Sequence, residues 1–176
     1  MNFYSEDIVR GIIDQETEYN RFYEQVFTLS CKYSNGVVSP TYILSLVHDT
    51  TNSIAFRCMD TEFNIHNCPS ILIYHKYYDA AKNETAYYIL MICTKRSYKG
   101  MGYASGLLDD FIGRIRNQCV DGSRCKIVLS SLESAVTFYE EYGFRWTRAP
   151  LTDYPKLMEF ERYDEEKEYF ILELAI

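Results

Sequence analysis

Residues 86–115 read AYYILMICTKRSYKGMGYASGLLDDFIGRI, which joins an apolar segment, a short basic loop and an amphipathic helix. The apolar segment Thr85–Thr94 is typical of a central strand that is covered on both faces. The loop after it sets cations beside glycines: Lys95, Arg96, Lys99, Gly100 and Gly102. Unpaired backbone N–H groups, the helix dipole and these cations all favour an anion at the start of the helix. The stretch therefore predicts a site for a phosphorylated ligand.

Elements on either side can be predicted from periodicity and turn residues. Lys126–Ser130 reads as a strand, so the stretch belongs to a β-α-β unit with parallel strands. Upstream, Ile54–Cys58 and Ile71–Tyr78 read as strands, whereas Tyr42–Val47 fits a strand or a short helix. The N-terminal segment is predicted to be helical, with Ser5 as its cap. The helix after the glycines has one apolar face: Ala104, Leu107, Leu108, Phe111, Ile112 and Ile115.

The C-terminal part predicts a second short helix and two more strands. Ser131–Tyr142 is helical in pattern, with Ser131 as a cap and Gly143 as its stop. Phe144–Arg148 and Tyr169–Ala175 read as strands, with a proline-containing loop between them. Neither a repeat nor a change of composition divides the chain, so one domain over residues 1–176 is expected.

The charge balance and the absence of long apolar runs narrow the function classes. The chain has 18 basic and 25 acidic residues and a formal net charge of -7, which argues against a nucleic-acid partner. It lacks both a signal-peptide pattern and an apolar run of about 20 residues, so no membrane partner is expected. These features predict a cytoplasmic protein.

The six cysteines lack CxxC spacing and are interpreted as reduced thiols. Cys93 and Cys125 lie in or beside apolar strands and are expected to act as small core residues. His66 and Cys68 resemble a fragment of a metal site, but no second ligand pair stands near them in sequence. No metal site is therefore predicted.

The glycine loop can be compared with known phosphate-binding loops. The GxxxxGK pattern of a P-loop is absent. Residues 100–105 approach the dinucleotide pattern GxGxxG, but the third glycine is missing and no acidic residue ends the next strand. These differences argue against both nucleotide classes.

Lys99-Gly100-Met101-Gly102-Tyr103-Ala104 resembles the [Arg/Gln]-x-x-Gly-x-[Gly/Ala] loop of the GNAT superfamily of acetyl-CoA-dependent N-acetyltransferases. Residues 134–144, SAVTFYEEYGF, are similar to the second motif of that family, and together the resemblance covers about residues 84 to 148. Two positions depart from the pattern, because Lys99 replaces Arg or Gln and Leu132 stands where Asn is frequent. The resemblance implies an α/β (α+β) fold, with a central mixed, mostly antiparallel sheet, flanking helices and splayed parallel central strands.

The resemblance also implies acetyl-CoA as cosubstrate and no metal. Pantetheine would bind main-chain groups of Ile92, Cys93 and Thr94, with an N–H near Ile92 stabilising the oxyanion. The pyrophosphate would bind the loop beginning at Lys99, through N–H groups of these residues: Gly100, Met101, Gly102, Tyr103 and Ala104.

In this family a primary amine attacks the thioester directly, within a ternary complex. Tyr139 matches the tyrosine near the CoA sulfur and is the predicted acid for the leaving thiolate. The base stays open between Glu84, His75 and ordered water. Glu84 lies two residues before Ala86, the position that matches the strand glutamate of histone-type members.

The acceptor is predicted to be an amine, with a preference for a cationic polyamine or peptide amine. Aromatic rings beside carboxylates suit such a ligand. The alternative is a non-catalytic acyl-CoA-binding regulatory module, and a homodimer is left open. The residues expected around the acceptor are Tyr74, Tyr77, Tyr78, Asp79, Tyr154, Glu159 and Tyr163.

Overall fold

The computed structural model describes residues 2–13, 16–119, 123–161 and 166–176. Within these ranges the backbone forms strands β1 (Asn2–Ser5), β2 (Asn52–Cys58), β3 (Ser70–Asp79), β4 (Glu84–Thr94), β5 (Arg124–Ser131), β6 (Arg145–Trp146) and β7 (Phe170–Ala175). The α-helices are α1 (Glu6–Ile12), α2 (Glu16–Ser34), α3 (Pro40–His48), α4 (Tyr103–Gln118), α5 (Val136–Glu140) and α6 (Pro155–Phe160). Single 3-10 turns occupy Ile65–Asn67, Arg96–Tyr98, Glu133–Ala135 and Leu151–Asp153.

The strands form one seven-stranded mixed sheet in the order β1-β2-β3-β4-β5-β7-β6. β4 and β5 are parallel, because α4 carries the chain between them. The pairs β1–β2, β5–β7 and β6–β7 are antiparallel. The predicted fold class, with a mixed sheet, flanking helices and a parallel central pair, is confirmed.

The chain divides into two compact units, Met1–Tyr74 with Met91–Arg114, and His75–Leu90 with Ile115–Ile176. Each unit draws on both halves of the sequence. The expectation of one domain over residues 1–176 stays a prediction.

The first unit has an aromatic core and a glycine that allows close packing. The Phe56 ring contacts those of Phe22 and Phe63, with centroids 5.8 and 5.5 Å away, and these two rings also contact each other. Arg57 lies across α4, where a Cβ on Gly106 would come within 1.4 Å of its Nη1 atom. Its Nε atom is 3.5 Å from a carboxylate oxygen of Asp110 on the same helix. Gly106 thus lets a strand cation lie flat on α4.

The second unit has a core on one face of β4, β5 and β7. Because strand side chains alternate between faces, every second residue contributes. The helical segment between β6 and β7 covers this face. The buried members are Ala86, Tyr88, Val128, Leu151, Leu157, Tyr169 and Ile171.

Several local predictions need correction. Ser5 makes no side-chain cap; it ends β1, and α1 starts directly after it. Ser131 also makes no cap, because its hydroxyl donates to the Leu132 carbonyl. The strand predicted over Phe144–Arg148 is only two residues long. Of the alternatives for Tyr42–Val47, the helix is correct: Pro40 begins it and the Ser39 side chain accepts from the Tyr42 N–H.

The prediction that all cysteines are reduced is wrong for two of them. Cys119 and Cys125 form a disulfide, with their Cα atoms 6.5 Å apart. Cys119 directly follows α4 and Cys125 is the second residue of β5, so the reversal of the chain brings them together. Cys125 is buried as expected, and Cys31, Cys58, Cys68 and Cys93 are free thiols.

Candidate active site

The predicted phosphate loop begins where β4 ends in the first unit. Thr94 is buried, and its hydroxyl lies 2.8 Å from that of Ser70. The next N–H, of Lys95, donates to the Pro69 carbonyl at 2.8 Å. Within the 3-10 turn, the Tyr98 N–H donates to the Lys95 carbonyl, also at 2.8 Å. These bonds fix the backbone just before Lys99.

The loop leaves a row of N–H groups without partners. Gly100 and Gly102 have φ of 78° and 79°, a conformation that L side chains rarely adopt. No atom lies within 4 Å of the Cβ position at either glycine, so the backbone is open to an approaching ligand. The Met101 N–H donates to the Tyr98 carbonyl, and the Gly106 N–H closes the first helical turn onto Gly102.

Between those two bonds lie the donors of the helix N-terminus. In the described residues no acceptor pairs with the N–H groups of Gly102, Tyr103, Ala104 and Ser105. Lys99 is exposed beside them. This arrangement has the chemistry of an anion site.

The strand residues predicted to contact pantetheine lie at the end of β4. Ile92 is half-buried, and Cys93 and Thr94 are buried. Burial raises the pKa of the Cys93 thiol to about 12, so this sulfur is protonated and unsuited to act as a nucleophile. Along the described strands, the parallel register with β5 runs from Glu84–Arg124 to Ile89–Leu129, whereas β4 continues to Thr94.

Tyr139 lies on α5 in the second unit. It is only 7% exposed, and its ring lies 5.1 Å from that of Phe138 and 5.7 Å from that of Phe144. Burial alone raises the pKa of its phenol to about 12. Its hydroxyl has no hydrogen-bond partner among the described residues. The hydroxyl of this buried tyrosine is thus neutral and, among the described residues, has a proton available to a ligand.

Glu84 takes part in an ion cluster that the sequence analysis missed. Lys126 on β5 has its Nζ atom 2.9 Å from Glu84 Oε1 and 3.3 Å from Glu173 Oε1 on β7. Glu173 also accepts a hydrogen bond from the Tyr154 hydroxyl at 3.1 Å. These carboxylates raise the pKa of Lys126 against the opposing effect of burial. A lysine directly before the apolar residues Ile127–Leu129 of β5 was the signal in the sequence.

Most of the residues expected around the acceptor amine contact residues outside that set. Lys156 on α6 lies 4.9 Å above the Tyr77 ring, and its Nζ atom is 2.9 Å from Glu159. The Tyr78 hydroxyl donates to Asn83. In the first unit, Tyr74 packs against Phe111 at 4.8 Å.

Of three other residues that the sequence predicted for the site, the structure describes two. Asp79 caps the β3–β4 turn by accepting from the Ala81 and Lys82 N–H groups. His75 is buried, with its ring 5.5 Å from Phe160. Tyr163 lies outside the described residues.

Two further properties concern the described residues only. None of these residues forms a group of three or more His, Cys, Asp or Glu side chains that is suited to a metal ion. None of the helices described above has the length and apolar character needed to cross a bilayer.

Comparison with protein families and solved structures gives the context of this site. Residues 77–153 match the family model described as an acetyltransferase (GNAT) domain. No curated protein sequence matches the chain. The family match includes β4, the glycine loop, α4, β5 and α5.

Solved structures of similar fold cover nearly the whole chain. Tetrahymena GCN5 is 12% identical with a TM-score of 0.63, over 100% of this chain and 96% of that one. A putative N-acetyltransferase from Lactobacillus plantarum is 14% identical with a TM-score of 0.62, over 99% and 97%. Arabidopsis thaliana Naa50, in complex with the bisubstrate analogue CoA-Ac-MVNAL, is 12% identical with a TM-score of 0.55, over 100% of both chains. At these identities the similarity establishes the fold.

Proposed function

Since residues 77–153 match a family model of GNAT acetyltransferase domains, we propose that the chain is an N-acetyltransferase that transfers acetyl from acetyl-CoA directly to a primary amine. The observation that carries this proposal is the row of N–H groups from Gly102 to Ser105, at the N-terminus of α4, which have no partner among the described residues. Such donors suit the pyrophosphate of CoA. The open space at Gly100 and Gly102 supports the same assignment.

The reaction breaks the C–S bond of the thioester and forms a C–N bond. The acceptor must first lose a proton, since an ammonium of pKa about 10.4 has no free electron pair at neutral pH. An N–H group near Ile92 is the proposed donor to the oxyanion. The second nitrogen proton passes to a base or to water, and the thiolate leaves.

Tyr139 is proposed to donate a hydrogen bond to the leaving thiolate. With a pKa of about 12, the phenol holds its proton more tightly than a thiol whose pKa is roughly 8.5. Complete transfer of that proton to sulfur is therefore uphill. Tyr139 would act by stabilising the negative charge, and the thiolate would take its proton from water.

The choice of base depends on where Glu84 lies. Glu84 begins β4, and Ile92 follows eight residues later in the same strand, about 26 Å at roughly 3.3 Å per residue. The ion pair with Lys126 also occupies one of its oxygens. These two observations favour ordered water over Glu84 among the alternatives. The role of Glu84 stays a prediction that substitution can test.

A peptide amine or a polyamine is the proposed acceptor class. The analogue in the Naa50 complex joins CoA and acetyl to MVNAL, which supports a peptide amine for a protein of the same fold. Tyr77 and Glu159 supply an aromatic face and a carboxylate, and both already contact the ammonium of Lys156. That internal contact supports the ability of this surface to bind a cationic amine.

The test is calorimetric titration with acetyl-CoA, CoA and NAD, followed by an amine screen read by release of free thiol. We expect micromolar binding of acetyl-CoA, no response to NAD, and thiol release with at least one peptide amine or polyamine. Absence of binding to both acetyl-CoA and CoA would overturn the proposal. Tight acetyl-CoA binding without turnover for any amine would support the non-catalytic module instead.

A further inference from the structure

A second basic site lies next to the phosphate loop in sequence. It is a cavity of about 530 Å3 in the first unit. A cavity of this size is within the range typical of small-molecule sites. Its walls come from the last turns of α2 and from the turn that follows β4. The lining residues are Lys32, Tyr33, Lys95, Arg96 and Ser97.

The lining has three cations and no acidic residue. Among the described residues, no carboxylate forms an ion pair with Lys32, Lys95 or Arg96. The Nζ atom of Lys95 is 5.3 Å from the centroid of the Tyr98 ring. Because the ring is neutral, this contact leaves the charge of Lys95 without a counter-ion. In a chain of net charge -7, a cluster of cations without counter-ions favours an anionic ligand.

The floor of the cavity is held in place by hydrogen bonds. Tyr33 is 2% exposed, and its hydroxyl donates to the Cys68 carbonyl at 3.0 Å. The Lys95 backbone is fixed by the bond from its N–H to Pro69. The cationic side chains therefore extend from a fixed backbone, which lowers the entropy lost when they bind a ligand.

The cavity residues Lys95, Arg96 and Ser97 lie in the same backbone segment as the phosphate loop and directly precede it. Arg96–Tyr98 forms one 3-10 turn, and the Lys99 N–H donates back to the Arg96 carbonyl at 3.3 Å. A ligand that places a pyrophosphate on Lys99–Ala104 can therefore present a second anionic group to Arg96 and its neighbours. CoA has such a group, because its ribose carries a 3′-phosphate in addition to the pyrophosphate.

We propose that the cavity binds the 3′-phosphate of CoA through Lys32, Lys95 and Arg96, with the Ser97 hydroxyl as a further donor. The inference rests on the proposed function, since it assigns a second anionic group of the same cosubstrate. Lys32 is its distinctive member, because it comes from α2 and lies far from the glycine motif in sequence. A phosphomonoester between several cations forms charge-assisted hydrogen bonds.

The experiment compares acetyl-CoA with acetyl-3′-dephospho-CoA by calorimetry, in the unmodified chain and in Lys32→Ala, Lys32→Arg and Lys82→Ala. We expect the unmodified chain to bind acetyl-CoA about tenfold more tightly than the dephospho form. Lys32→Ala should remove most of that preference, because it should lower the affinity for acetyl-CoA and leave the affinity for the dephospho form unchanged. Lys32→Arg should retain the preference for acetyl-CoA, because it retains the positive charge. Lys82→Ala removes an exposed lysine of the second unit and should change neither affinity.

Several outcomes would overturn the inference while leaving the proposed function intact. One is equal affinity of the unmodified chain for both ligands. Another is an equal loss of both affinities in Lys32→Ala. A third is an effect of Lys32→Ala on the KM of the acceptor amine alone, which would assign the cavity to an anionic acceptor. By contrast, no binding of either CoA form would overturn the proposed function and this inference with it.

Discussion

At the scale of single residues, Tyr139 combines deep burial with a hydroxyl that has no hydrogen-bond partner among the described residues. Such a hydroxyl keeps a proton that it can donate to a ligand. Lys126 is the opposite case, because two carboxylates surround its charge. The first arrangement favours a role in binding or catalysis, and the second favours a role in stability.

Tyr139→Phe should lower kcat about 10- to 100-fold, with a small change in KM for acetyl-CoA, because the variant lacks the donor to the thiolate. The unfolding midpoint should stay nearly constant, since the deleted hydroxyl has no partner among the residues that the structure describes. Steady-state thiol release and urea unfolding measure the two quantities. Tyr142→Phe, at the end of the same helical segment, is the matched control; an equal kcat in Tyr139→Phe and Tyr142→Phe would contradict the assignment.

Glu84→Gln and Glu173→Gln form a matched pair, because each removes one carboxylate contact of Lys126. We expect each variant to lose about 1 kcal/mol in the free energy of unfolding, since the partners are partly exposed. Neither should change the pH profile of kcat. If only Glu84→Gln flattened the acidic limb of that profile, Glu84 would be the base.

At the scale of elements, the glycine loop and α4 were predictable because their signals are local. A glycine at positive φ and an apolar face at helical spacing are properties of neighbouring residues. The segment before β7 was predicted as a loop from its prolines, yet Pro155 is the first residue of α6. Proline favours the first turn of a helix, so the same residue that suggested a break marks a beginning.

Gly102→Ala should weaken acetyl-CoA binding about tenfold or more, because an alanine at φ near 79° strains the loop and reorients its N–H groups. Gly36→Ala is the control, since Gly36 has the same φ of 79° and equally open surroundings. Both variants should lose about 1 kcal/mol of stability. Calorimetry measures the affinity for acetyl-CoA, and urea unfolding measures the stability lost to backbone strain, so the two effects can be separated. A similar loss of affinity in Gly36→Ala would contradict the loop assignment.

The disulfide that joins the end of α4 to the start of β5 should stabilise the fold by about 2 kcal/mol, the value expected for so short a loop. Titration of the denatured chain should find four thiols before reduction and six after it. The double variant Cys119→Ser, Cys125→Ser should unfold at lower urea concentration. The variant Cys31→Ser is the control, because Cys31 is a free thiol. Finding six thiols before reduction would rule out the bond.

At the scale of the whole molecule, buried tyrosine and cysteine side chains make the free energy of unfolding depend on pH in the alkaline range. Burial raises the pKa of Tyr33, Cys93 and Tyr139 to about 12, from ordinary values of 10.0 for the phenols and 9.0 for the thiol. Below about pH 8 these groups are almost fully protonated in both states and add no pH dependence. Above that value the unfolded chain releases protons that the folded chain retains.

The free energy of unfolding should therefore fall as the pH rises from about 9 to about 12. Urea midpoints at intervals across this range measure the fall. The free energy of unfolding of Tyr139→Phe should fall less steeply between about pH 10 and pH 12, because this variant lacks one of the three ionisable groups. Constant midpoints across the range would contradict the burial of these groups.

The sequence by itself determined the β-α-β unit, the glycine loop before its helix and the placement of Tyr139 on a short helix. Each of these depends on residues that are close in the chain. Only the tertiary structure decided that Lys126 lies between Glu84 and Glu173, that Cys119 pairs with Cys125, and that Lys32 shares a cavity with Lys95 and Arg96. The physical reason is that electrostatic and covalent partners are chosen by distance in space. Strand register and helix packing set that distance, and a single sequence does not encode it in any local pattern.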